Sequence, residues 1–430
     1  MDMFSFTEIV LGIMVLVYIV SKVFRVSTEL SMFFSAVAGS LAGGFGLQPR
    51  YFAEGAITYL DINLIFITAT FFMNILKESG GVAFAVREIL SRFHNHRILI
   101  LVLMTIILLV PGALTGAGSV TVLIAGGMVS VVLNHMGITK LKTAAIIFIV
   151  AGLSAAAPPV SLWAMMTAAG VNMPYIGFFL PLLIPCVLGA LITMFLLGWK
   201  GEKSNIEEAF EELPIPPERM SWILIALPFL VFFGLIAMGR FLPYSSPIVG
   251  LPLMFLIAGA TSYFVSPTKI KILQVSRDTI KQLLPLIGTL TAVGILVEIM
   301  TLTGVRGLLA VTTVTLPVSV VFGILFFVLP LSEAVLMWGA APVIGVPLVL
   351  LFNTIGLNPI IALAGMSMIW PLGDALPPTA LIGRLTVDVV GVDESYSAFL
   401  RTCILPSIII MVMGTLMVIF SSQLDFLTAF

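Results

Sequence analysis

Charge is what this sequence has least of. Only 10% of its 430 residues are Asp, Glu, Lys or Arg, against 60% hydrophobic residues, and the mean hydropathy is +1.19. Soluble domains carry about 25% charged residues, so a soluble fold is excluded and an all-α polytopic membrane protein is expected. The net charge of −1 gives no reason to expect nucleic acid as a partner. Cysteine is scarce too. Cys186 and Cys403 both lie in apolar runs, where they act as small hydrophobes and build neither a disulfide framework nor a zinc site. His94-Asn95-His96 lacks further ligands and reads as a solvated turn, not a metal site. No glycine-rich phosphate loop ending in lysine is present, so ATP is not expected to drive the process. No nucleophile-and-base constellation is visible, which argues against an enzyme. The start, Met1-Asp2-Met3-Phe4, has no basic region of the signal-peptide kind.

Apolar runs of spanning length are plentiful. In the first half they fall near 4–24, 27–46, 59–77, 97–110 and 175–198. In the second they fall near 219–239, 247–265, 283–302, 307–329 and 396–420. Lys22 and Arg25 after the first span place that end in the cytoplasm and the N-terminus outside. The basic loop of Lys269, Lys271, Arg277 and Lys281 is likewise expected in the cytoplasm. Val82 to Arg97 mixes Phe84, Val86, Ile89 and Leu90 with Arg87, Glu88, Arg92 and Arg97, an amphipathic pattern suited to the interface. The one long polar stretch, 200–218, carries six glutamates and ends in Pro214-Ile215-Pro216-Pro217. It reads as a solvated linker between residues 1–199 and 219–430.

Those two parts share a register. An offset of 219 pairs Pro111 with Pro330, Gly126 with Gly345, Asn134 with Asn353, Gly137 with Gly356 and Pro158-Pro159 with Pro377-Pro378. An offset of 221 then pairs Gly170 with Gly391 and Pro185 with Pro406. So long a register implies a two-fold internal repeat. Whether the halves are inverted stays open, because inversion requires an odd number of crossings per half and the naive count is six.

Within each half one helix is broken. Proline lacks an amide hydrogen and clashes with the preceding turn, so Pro158-Pro159 should break a helix at 141–169 and Pro377-Pro378 one at 359–390. The runs 111–135 and 330–354 are too short to cross twice, which needs about 40 residues at 1.5 Å each. They are expected to be re-entrant hairpins, with tips at Thr115-Gly116-Ala117-Gly118-Ser119 and at Leu331-Ser332-Glu333-Ala334. Hairpin tips facing broken helices suit a small cation or a carboxylate, although Gly116 and Gly118 could equally serve close helix packing.

Charge separates the halves. Glu333, Asp374, Arg384 and Asp388 lie in apolar surroundings in the second half, while Leu114 and Ala155 match Glu333 and Asp374 in the first. A charge at the bilayer centre costs at least ~3 kcal/mol, so these groups should face a cavity or one another. Glu333 and Asp374 are assigned to a cation or proton site. Arg384 could clamp a substrate carboxylate in a bidentate way or pair with Asp388 on one helix face. The candidate substrate contacts are Thr115, Ser119, Ser161, Thr379 and Arg384. The candidate ion-site residues are Gly116, Ser154, Pro158, Ser332, Glu333, Gly373, Asp374 and Pro377.

The chain resembles the large membrane subunit of tripartite ATP-independent periplasmic (TRAP) transporters, within the wider ion-transporter superfamily. The carrying residues are Gly80-Gly81, Thr115-Gly116-Ala117 against a Ser-Gly-Ser hairpin motif, and Pro158-Pro159-Val160-Ser161 against Ile-Pro-Pro-Ser. Gly356-Leu357-Asn358-Pro359 and Pro377-Pro378-Thr379 resemble the Gly-Ile-Asp-Pro and Thr-Pro-Pro patterns of the second half. Ala117, Leu376 and Ile382 depart from the family's serine, threonine and frequent asparagine. The resemblance implies a scaffold and a transport domain with two hairpins, carrying an organic anion by an elevator-like motion in the cell inner membrane, with Na+ or H+ as coupling ion and no other cofactor. It also implies a small four-helix membrane subunit and an extracytoplasmic solute-binding protein. The rival expectations are a self-sufficient Na+- or H+-coupled carboxylate carrier, and a non-transporting membrane subunit or enzyme.

Overall fold

A computed structural model describes residues 3–201, 206–242, 244 and 249–429, and no strand occurs among them. The first half contains α1 (Met3–Val23), α2 (Thr28–Ala42), α3 (Pro49–Ile57), α4 (Leu60–Glu78), α5 (Gly81–Phe93), α6 (Arg97–Thr115), α7 (Gly118–Thr121), α8 (Gly127–His135), α9 (Lys140–Ala156), α10 (Leu162–Gly170) and α11 (Phe179–Gly198). A linker helix, α12 (Ile206–Glu212), follows. The second half contains α13 (Trp222–Phe241), α14 (Leu251–Val265), α15 (Ile272–Leu302), α16 (Val305–Thr315), α17 (Val318–Leu336), α18 (Val346–Thr354), α19 (Pro359–Ile369), α20 (Leu381–Val390) and α21 (Tyr396–Ile419). Among the described residues nine helical stretches are long and apolar enough to cross a membrane. The protein is a multi-pass membrane protein.

The helices sort into two groups that each draw on both halves. Helices α1–α4 pack with α13–α15, and α6–α11 pack with α17–α21. Short helices join the groups. The left-handed Gly80 (φ 82°) ends the α4 run and starts α5, and Gly304 (φ 79°) does the same between α15 and α16. Glycine reaches this backbone region without the penalty a Cβ would bring. Of the apolar residues in the 82–97 pattern, α5 buries Val86, Ile89 and Leu90 and leaves Phe84 half-buried, while Arg92 is exposed.

Helices α3–α4 and α15 run in opposite directions. A Cβ on Gly55 would lie 2.6 Å from the Ile295 Cα, while Asn74 Nδ2 donates to Thr279 Oγ1 at 2.9 Å. Helices α3–α4 therefore lie antiparallel to α15. The hairpins also enter from opposite faces: α8 packs on α5 and α12 beyond the end of α4, whereas α18 packs on α16 beyond the end of α15.

Four expectations need correction. The first hairpin spans 97–135, not 111–135: α6 runs unbroken through Pro111 to a turn at Gly116, and the chain returns through α7, a π-helical stretch at Val122–Gly126 and α8. Arg97 Nη1 donates to Met136 O at 3.1 Å, closing its base. The stretch 97–110 is thus a leg of this hairpin and not a separate element. The stretch 307–329 is not one span either. It divides at Pro317 into α16 and α17, and α17 with Met337–Thr354 forms the second hairpin. Hydropathy averaged over a window does not register such a break. Third, the second tip lies at Met337 (φ 52°), past Leu331–Ala334, which stay in the last turns of α17. Fourth, the 200–218 stretch is not a free solvated loop. Residues 202–205, with Glu202 and Lys203, lie outside the described residues. The remainder docks on the molecule, with Ala209 and Leu213 buried and Arg87 Nη1 donating to Phe210 O and Leu213 O at 2.8 Å.

Candidate functional site

Both proline pairs interrupt helices where the sequence places them, and both Pro-Pro bonds are cis. Backbone groups released by such breaks must find protein partners inside a bilayer, and the hairpins and neighbouring side chains supply several. At the first break the Val160 amide donates to Ala113 O of α6 at 3.1 Å. The Ser161 amide donates to Tyr175 Oη at 3.3 Å. At the second, a 3-10 stretch at Trp370–Ala375 leads into the prolines. Thr379 Oγ1 donates to Ala334 O at 3.0 Å and Tyr396 Oη to Ala375 O at 2.6 Å. The second tip is also held by Tyr18, whose hydroxyl donates to Val335 O.

The first hairpin and break meet at a neutral hydroxyl cluster. Ser154 Oγ lies 2.9 Å from Thr121 Oγ1 and donates to Ala151 O at 2.6 Å. A Cβ on Gly112 would sit 1.9 Å from Ser154 Oγ, so only glycine admits this approach. Thr115 is buried, and its hydroxyl donates to Pro111 O at 2.7 Å. Gly116 (φ 66°) makes the turn and packs on Phe66.

The second hairpin and break meet at an acidic cluster. Here the glycine sits on the break: a Cβ on Gly373 would lie 2.1 Å from Pro330 O and 2.7 Å from Glu333 Cβ. This contact sets Glu333 of α17 beside the 3-10 stretch, and its carboxyl interacts through space with that of Asp374. Both residues are buried, at 0% and 1% exposure. Glu333 Oε1 and Oε2 and Asp374 Oδ2 have no hydrogen bond. Trp163, two residues past Ser161, reaches across from the first half and sets its indole beside Glu333. Its Nε1 stops short of hydrogen-bond geometry, and that of Trp370 is also unpartnered. Ser332 Oγ donates to Leu329 O at 2.7 Å.

Between the two helix groups lies a polar cavity of about 690 Å³. One wall is Asn74 and Lys77 of α4 with Gln282 of α15; the other is Ser119, Trp338 and Leu385 from the hairpins and α20. Its rim reaches Lys269 and Lys271, and the acids Glu78 and Asp278 line it too. Lys77 Nζ donates to Leu123 O at 3.0 Å, satisfying a carbonyl in the π-helical stretch. A second cavity, about 510 Å³ and almost wholly apolar, faces Pro158, Pro159 and Trp222.

The structure therefore brings together Glu333, Gly373 and Asp374, with Ser332 and Thr379 at the edges, and separately Thr115, Gly116 and Ser154. Ser119 lines the polar cavity. Ser161 is buried with a free hydroxyl. Pro158 lines the apolar cavity. Pro377 is exposed. Arg384 is exposed and within electrostatic reach of Tyr396; among the described ion pairs none joins it to Asp388. Sequence reasoning missed Trp163, Thr121, Asn74 and Lys77. A signal existed for Lys77 alone, a cation closing an otherwise apolar span.

No family model and no curated protein matches this sequence. Among solved structures, the YdaH transporter of Alcanivorax borkumensis, described as having an unusual topology, superposes with a TM-score of 0.59 at 13% sequence identity. The match covers 86% of this chain and 87% of that one. The chain has the fold of a membrane transporter.

Proposed function

We propose that the protein is an ion-coupled secondary transporter of a small organic anion. The observation that carries this reading is the polar cavity between the two helix groups, walled by both hairpins and rimmed by lysines. A cavity at the junction of broken helices and hairpin tips is the arrangement expected where a substrate binds, and its three lysines, Lys77, Lys269 and Lys271, against two acids, Glu78 and Asp278, favour an anionic solute. Its opening on the side of Lys269 and Lys271 makes it inward-facing under the positive-inside rule.

The same reading treats residues 1–199 and 219–430 as an inverted two-fold repeat joined by 200–218. The antiparallel α3–α4 and α15 and the hairpins packing beyond opposite ends of these helices support it. In this reading α6–α11 with α17–α21 move as one body against α1–α4 with α13–α15, an elevator-type motion in a cell inner membrane. Two forms of the transporter remain. As a TRAP-type permease the chain works with a small four-helix subunit and a binding protein. As a self-sufficient carrier it needs neither, a form favoured by Ala117, Leu376 and Ile382 at the departures from the TRAP motifs.

The test is uptake of radiolabelled small mono- and dicarboxylates by the chain reconstituted alone into liposomes, with Na+ and H+ gradients imposed separately. Saturable uptake above protein-free liposomes is expected for at least one anion if the carrier is self-sufficient, and only after adding the two partners in a TRAP system. A folded protein that moves no anion under either gradient, with or without partners, overturns the reading.

A further inference from the structure

Nothing in the fold requires an acid in the hairpin–break contact, since the first half makes the same contact with hydroxyls. At the positions 219 residues earlier, Glu333 and Asp374 are matched by Leu114 and Ala155. A buried carboxylate with no partner is costly and must bind something or lose its charge. Three of the four carboxyl oxygens here lack any hydrogen bond, and none of the described ion pairs involves either residue.

We propose that Glu333 and Asp374 form one proton-carrying site, loaded by H+ and not by Na+, and that the first break has no equivalent. This rests on the transporter reading and names its coupling ion.

Two features select the proton. A hard cation needs a shell of oxygen acceptors, yet the group beside Glu333 is the Trp163 indole N–H, a donor. Two adjacent acids that cannot both be ionised hold a proton between them. A second proton makes the pair neutral for passage through the membrane, and one leaves to water from a carboxyl oxygen when the site opens.

Other titratable groups on the packed elements are few. On α21 they are Tyr396, in electrostatic reach of Asp374, the buried Cys403 and the exposed Arg401. On α20 they are the exposed Arg384 and Asp388, and on α9 Lys140 and Lys142 in its first turn. α10 and α19 carry none, nor do the rest of α17 and of the 3-10 stretch.

The test is infrared difference spectroscopy of the full chain in lipid nanodiscs, at neutral pH, in choline chloride and in sodium chloride. The expected result is a carbonyl band of a protonated carboxyl that shifts in heavy water, changes in position or intensity in Glu333→Gln and in Asp374→Asn, and is unchanged by sodium. If Glu333→Gln fails to fold, Glu333→Asp, which keeps the acid and should displace the band, gives the same reading. Loss of the band on adding sodium, or an identical spectrum in wild type and both variants, overturns the proposal. Because no solute is needed, the outcomes separate. The band without anion uptake supports the pair and refutes the transporter reading; sodium-driven uptake insensitive to pH and retained in Glu333→Gln overturns the pair and keeps the transporter.

Discussion

Replacing Gly373 by alanine puts the hairpin–break contact to a direct test. The new Cβ would stand 2.1 Å from Pro330 O, where ordinary contact begins at 3.4 Å. Either α17 or the 3-10 stretch must retreat by the difference, about 1.3 Å. The obstacle is backbone in a helix that Pro330 already deprives of one hydrogen bond, so no flexible side chain can yield. Overpacking of this kind costs ~1–3 kcal/mol. Gly323→Ala on the same helix has nothing within 4 Å of its Cβ and serves as the control, expected to be neutral or slightly stabilising. Both variants would be unfolded by denaturant titration in mixed micelles, followed by tryptophan fluorescence, since Trp163 and Trp370 lie at or near the contact. Gly373→Ala should unfold at lower denaturant and lose any pH-dependent infrared signal of the acid pair, because a retreat of that size separates Glu333 from Asp374. Equal stability of Gly373→Ala and Gly323→Ala would refute the reasoning.

Two further outcomes are expected. Lys77→Gln removes a cation from the cavity wall and the donor to Leu123 O; for an exposed charge the loss is ~0.2–1 kcal/mol, so KM for an anionic solute should rise up to roughly fivefold, and an unchanged KM would remove Lys77 from the binding wall. Arg87→Met deletes two 2.8 Å bonds to the linker carbonyls and the guanidinium over the Phe210 ring. Hydrogen bonds from a charged group are worth ~1.5–3 kcal/mol, so limited proteolysis between α12 and α13 should accelerate about tenfold or more, and an unchanged cleavage rate would show that the linker helix is held by other contacts.

Much of this architecture was legible residue by residue. Pro158-Pro159 and Pro377-Pro378 marked the helix breaks because proline acts locally, whatever surrounds it. The amphipathic 82–97 stretch announced α5 through periodicity alone. The same local view misplaced the hairpins. Pro111 and Pro330 looked like their beginnings, but both sit inside unbroken helical legs. The second tip moved to Met337 because its position is set by the carbonyls that Tyr18 and Thr379 hold, residues far away in sequence.

The two acids show the same division. That Glu333 and Asp374 must be sheltered followed from composition, since a charge in so apolar a chain cannot face lipid. That they shelter against each other, with Trp163 from the opposite half beside them, depended on the approach of Gly373 to Pro330. Arg384 went the other way: an arginine in an apolar neighbourhood suggested a clamp for a carboxylate, and the fold leaves it exposed and apart from the cavity. The amino-acid sequence by itself determined a membrane-embedded helical chain, its breaks and the unequal charge of its halves, because these follow from solvation and backbone chemistry at single positions. Only the tertiary structure decided which groups converge, the opposite entry of the hairpins and where the polar cavity opens, because those depend on contacts between segments that no local pattern encodes.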